Sequence, residues 1–97
     1  MTTCLVLHDL GPITAKAEQA FFEAIFEIAP EHWRITGGAT LAATDVSPRY
    51  LLAHLERVLK QHGVTGVPLL VTRVSPDMVW GSLSPEGAAW LAEVTQG

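Results

Sequence analysis

Two amphipathic helical patterns leave the stretch between them room for little but a hairpin. From Ala15 to Ala29, apolar residues recur at Ala17, Phe21, Ala24, Ile25 and Ile28, the spacing of one helical face. Phe22 and Phe26 widen that face, Glu18, Glu23 and Glu27 occupy the other side, and Pro30 ends the pattern. The second stripe is Leu51, Leu52, Leu55, Val58 and Leu59. It follows Ser47-Pro48, a serine N-cap with proline at the first helical position, and stops at His62-Gly63. Between the helices, His32 to Thr36 alternates as a half-buried strand does, Gly37-Gly38 signals a turn, and Thr40 to Thr44 resumes an extended pattern.

A hairpin held between two helices needs partner strands from outside it, and the chain supplies two. Cys4 to His8 is a short apolar run broken by Gly11-Pro12, with Thr14 placed as the N-cap of the first helix. Pro68 to Val74 is another, with its proline at the start where a missing N–H is tolerated. Ser75-Pro76-Asp77 then turns the chain, Met78-Val79-Trp80 reads as a short strand, and Ser84-Pro85 starts a helix. Gly87, Trp90, Leu91 and Val94 outline one face of that helix, which Gly87 weakens a little. The order predicts an α+β fold: a ferredoxin-like βαββαβ antiparallel sheet with both main helices on one face and a C-terminal β-α extension. One domain covers residues 1–97. Right-handed crossovers place the first and third strands side by side in the middle, expected parallel. The expected core includes Leu5, Leu7, Phe21, Ile25, Leu41, Leu55, Val58, Leu70 and Val71.

Composition bears on partners. With 48% apolar and 16% charged residues, a chain of 97 residues carries more apolar surface than it can readily bury. A homodimer is therefore expected, through the open sheet face or the Trp80 segment, and a protein partner is possible. The net charge of −4 and the scattered Lys and Arg residues count against nucleic acid. No stretch has the length to span a membrane and no basic leader precedes the first strand, so a soluble cytoplasmic protein is expected. The single Cys4 excludes an internal disulfide and a four-cysteine zinc site, and its place in an apolar strand suits a buried, inert thiol.

The chemistry-bearing residues are few. With the first and third strands parallel, Asp9 and Asp45 fall at one end of the sheet, where two carboxylates could hold a hydrated Mg²⁺ that activates water against a phosphodiester. Alternatively each aspartate ends its strand and caps the turn or helix after it. His8, His32, His54 and His62 form no ligand pattern, and His54 and His62 read as helix-surface residues. The Ser-Pro serines are caps and turns, with no nucleophile elbow around them. Gly37-Gly38 is followed by neither the lysine nor the helix start of a phosphate loop. Trp33 and Trp80 suit either a stacking platform or packing against the sheet.

From about Trp33 onward, the segments "ATLAATDVSPRYLLAHLERVL" and "PLLVTRVSPDMVWGSLSPEGAAWL" resemble the SinR-like small bacterial proteins, related in fold to the ferredoxin-fold CRISPR adaptation scaffold, also described as a nuclease. The opening "LVLHDL" resembles that family's first strand, with His8 where an aromatic residue is usual. The resemblance implies a ferredoxin-like homodimer. It also matches Asp9 to the first-strand aspartate proposed in the CRISPR relatives to bind a divalent metal near the dimer axis. The expected function is a small, non-catalytic, dimeric interaction or scaffold protein that needs no cofactor. The alternative is a Mg²⁺-dependent nuclease with Asp9 as its catalytic residue.

Overall fold

Thr14 and Ser47 each start a helix with a side-chain oxygen. In the computed structural model, which describes residues 2–75 and 77–96, Thr14 Oγ1 accepts from the Ala17 amide at 3.1 Å and Ser47 Oγ from the Tyr50 amide at 3.1 Å. The order is β1 (Thr3–His8), α1 (Ala15–Ile28), β2 (Glu31–Thr36), β3 (Ala39–Ala43), α2 (Pro48–Gln61), β4 (Leu69–Arg73) and α3 (Pro85–Gln96). Helix α2 ends as its sequence predicts. Gly63 takes φ +75°, its amide donates to Lys60 O, and the Val64 amide reaches back to Leu59 O, the paired bonds of a Schellman cap.

The strands form one four-stranded antiparallel sheet in the order β2-β3-β1-β4. β1 and β3 are adjacent in the middle, but they run antiparallel, with Cys4 opposite Ala42 and Leu7 opposite Ala39. The expected parallel pairing is therefore corrected. The crossover through α1 brings β2 back in the direction of β1, and the tight β2–β3 turn then reverses the chain, so a β3 inserted between them must oppose both.

Alternation along β1 and β3 divides the sheet into two faces. Cys4, Val6 and Ala42 join Phe21, Ala24, Ile25, Leu51, Leu55 and Leu59 in one buried cluster beneath α1 and α2. Leu5, Leu7 and Leu41 point the other way. There Leu41 lies opposite Trp33, and α3 docks on β2 through Gly87, where an added Cβ would come within 2.7 Å of Trp33 Nε1. Leu91 of α3 is buried. Toward β4 this face is open: Leu7 is 41% and Leu70 51% exposed, so neither is the core residue expected of it. Leu5, Val58 and Val71 are half-buried, while Phe21, Ile25, Leu41 and Leu55 are buried as expected.

The tail differs from its sequence reading. Met78–Trp80 is not a strand: among the described residues it joins no ladder, and Val79 is almost fully exposed. Pro76 of the expected turn lies outside the described residues. Ser84 does start α3, accepting the Gly87 amide at 3.1 Å. The glycine that weakens α3 as a helix is the one that lets it approach the Trp33 indole. Gly87→Val should therefore cost about 1–3 kcal/mol, the usual range for overpacking. Chemical denaturation should show the loss together with a red shift of tryptophan emission. Unchanged stability and emission would mean that α3 does not rest on Trp33.

Candidate functional site

The end of β1 brings polar chemistry into the apolar interior. His8 shares a face with Cys4 and Val6, so its imidazole enters the core beneath α1 and is only 4% exposed. Its Nε2 lies 3.0 Å from Thr40 Oγ1 on β3, and its Nδ1 is buried with no hydrogen-bond partner among the described residues. Phe21 and Phe22 meet the ring edge-on, each with centroids 5.4 Å away. His8 thus fills an aromatic position while keeping one polar bond. Burial pushes its pKa below the ordinary imidazole value, the nearby Arg34 pushes the same way, and Glu18 opposes them.

The β2–β3 turn closes over this corner. The His8 amide donates to Gly38 O at 2.9 Å, and a Cβ at Gly38 would approach His8 O to 3.1 Å, so a side chain there would push the turn and the strand end slightly apart. An extra residue at Ile35 makes a bulge between Arg34 and Thr36, just before the turn. Arg34, opposite Thr40 on the helix-side face, places its guanidinium carbon 4.4 Å from the Phe22 ring centroid, and its Nη2 donates to Gly37 O at 3.1 Å. Two clefts meet at this arginine. The polar one, of ≈ 500 Å³, is lined by His8, Asp9, Gly11, Glu18, Gly37 and Gly38 as well as Arg34. The aromatic one, of ≈ 480 Å³, has Phe22, Phe26, His32, Trp33 and Thr40 beside Arg34.

The two aspartates do not meet. Asp9 follows β1 at the polar cleft, exposed, with its amide bonded to Pro68 O at 3.1 Å. Asp45 follows β3, beside Thr44, whose amide bonds to Thr2 O. In the antiparallel register these are opposite ends of the central pair, about 25 Å apart at the rise of an extended strand. The joint Mg²⁺ site drawn on a parallel pairing is corrected for that reason. Among the described residues no group of three or more His, Cys, Asp and Glu side chains could hold a metal ion.

Cys4 is fully buried, and its thiol pKa is pushed up by burial against an opposing pull from Arg73. His62 is exposed at the α2 C-cap. His54 is not on the helix surface: its side chain is largely buried where α1 and α2 pack, with Nε2 3.5 Å from Glu27 Oε2. Trp33 is half-buried under α3, and Trp80 is 38% exposed. Sequence reasoning missed Arg34 as a site residue. The signal was the alternation His32, Arg34 beside the widened Phe22 and Phe26 face of α1, which puts a cation over an aromatic ring.

No protein-family model, curated protein or solved structure matches the chain. Among the described residues no helix is long and apolar enough to cross a membrane.

The buried imidazole makes stability depend on pH. An unfolded histidine titrates near 6.5, whereas folded His8 takes up its proton only at lower pH. Between those values the unfolded chain binds more protons, so stability is complete above about pH 6.5 and falls as pH drops toward the folded pKa. His32, also pushed down by burial and partly restored by a hydrogen bond to the Ala29 backbone, acts in the same direction. Thermal melts from pH 8 to pH 5 should show a falling Tm, with a shallower fall in His8→Phe. An equal fall in both proteins would show that His8 does not carry the effect.

Proposed function

We propose that this chain is a small dimeric interaction or scaffold module of ferredoxin-like architecture, with no catalytic role. The strand order β2-β3-β1-β4, with α1 and α2 packed together over one face, supports the architectural part. The resemblance to SinR-like proteins points the same way. One observation carries the functional part: α3 covers the β2 side of the second sheet face and leaves Leu7 and Leu70 adjacent and exposed on its β1–β4 side. Val79, in the segment leading to α3, adds exposed apolar surface. A second copy related by a two-fold axis would set the same leucine pair against itself, as an isologous interface requires.

The competing reading is a metal-dependent nuclease built on Asp9. The separation of Asp9 from Asp45 removes the second carboxylate that this reading drew on, and the charge balance of the chain does not favour a phosphate backbone.

Sedimentation velocity at micromolar concentration tests the proposal. The wild type should sediment as a dimer, and Leu70→Asp should raise the dimer dissociation constant at least 10-fold, about 1.4 kcal/mol, while keeping the fold. A wild-type monomer would overturn the dimer.

The two classes separate in a cleavage assay on RNA and DNA with and without Mg²⁺ or Mn²⁺. A scaffold gives no metal-dependent cutting, and Asp9→Asn, a change at an exposed side chain, shifts stability by about 0.5 kcal/mol or less. Cutting that needs metal and is lost in Asp9→Asn would establish the nuclease instead.

A further inference from the structure

Arg34 is held like a recognition residue. Its guanidinium is fixed from two sides, by the Phe22 ring on α1 and by the Gly37 carbonyl in the turn. Those contacts use one of its five N–H donors, and on this exposed side chain they orient the planar fork, so that less freedom is lost on binding. Among the described residues no carboxylate forms a salt bridge with it; the charge contact found at that distance is His54 with Glu27. The cation therefore stands ready for an anion from outside.

The aromatic cleft beside it specifies the rest of that ligand. Phe26 is 55% exposed despite its size, and the His32 ring meets it edge-on at 4.0 Å. Phe22, Phe26 and His32 thus give three ring surfaces around a volume of ≈ 480 Å³, within the range of small-molecule sites. An aromatic wall of this kind favours a flat ring laid against it. The charge of the chain limits the anion. At −4 overall, with Asp9 and Glu18 lining the cleft on the far side of Arg34, a polyanion meets more repulsion than one arginine offsets. A single negative charge does not.

We propose that the cleft between α1 and β2 binds a small planar aromatic monoanion of the aryl-carboxylate class, its carboxylate on Arg34 and its ring among Phe22, Phe26 and His32. Carboxylate and guanidinium pair through two parallel N–H···O bonds, for which Arg34 has the free donors. Trp33 and Thr40 complete the lining of the cleft.

Isotope-edited NMR titration with three probes of similar shape tests this. Indole-3-carboxylate has both features, indole-3-carboxamide lacks the charge, and cyclohexanecarboxylate lacks the aromatic ring. The first should shift the Gly37, Gly38 and Trp33 resonances saturably, and the other two should bind at least 10-fold more weakly. Arg34→Gln should abolish the preference for carboxylate over carboxamide. Phe26→Ala, at an exposed side chain, should weaken indole-3-carboxylate binding at least 10-fold and leave the fold intact. Should Arg34→Gln fail to fold, the three probes on the wild type and Phe26→Ala still decide. Equal binding of acid and amide, shifts confined to another surface, or no saturable shift at millimolar probe would overturn the assignment.

Discussion

The antiparallel ladder between β1 and β3 is the constraint on which the rest of this structure depends. It sets Cys4 against Ala42 and Leu5 against Leu41, and so decides which residues of each strand enter the core. Cys4, Val6 and His8 are turned toward α1 and α2; Leu5, Leu7 and Leu41 are turned toward α3 and the open side. A slip of one residue would exchange the two sets and bring Leu7 inward in place of His8. The same ladder carries the chain past β3 in the direction that parts Asp9 from Asp45. Strand direction thus governs both the packing and which polar groups can act together.

His8 is the costly element of that arrangement and also the one that organises its corner. A buried imidazole with an unpartnered Nδ1 carries a desolvation penalty, offset by the Thr40 bond and by two edge-on phenylalanine contacts. Phe22, held against His8 on one side, supports the Arg34 guanidinium on another. The chain of contacts from Thr40 through His8 and Phe22 to Arg34 links the sheet, α1 and the β2–β3 turn. A positive charge on His8 would lie near that of Arg34, which is one reason the imidazole is held neutral.

Much of this could be read from residues alone, and the exceptions have physical causes. The three helices and their caps were legible because Thr14, Ser47 and Gly63 act locally, through bonds to amides and carbonyls a few residues away. The faces of β1 were not, because Cys4-Leu5-Val6-Leu7 is apolar at every position and hides the period of two. Leu7 and Leu70 therefore read as core although one open face exposes them. His54 looked like a surface residue because the packing of α1 on α2 is a tertiary contact. Gly87 looked like a weak point in α3 because the indole it accommodates lies more than fifty residues away in sequence. Arg34 escaped notice because its stacking on Phe22 is a contact between β2 and α1, made only once the two pack together.

The open half of the sheet is where the proposed function rests, and the position of Leu7 beside Leu70 makes the claim a local one. The direct measurement is an isotope-filtered NOE experiment on an equal mixture of labelled and unlabelled chains, read at the leucine methyl groups. The proposal predicts intermolecular NOEs from Leu7 and Leu70 to the same residues of a second copy. Intermolecular NOEs found only at other surfaces, or none at concentrations where the protein is associated, would contradict it.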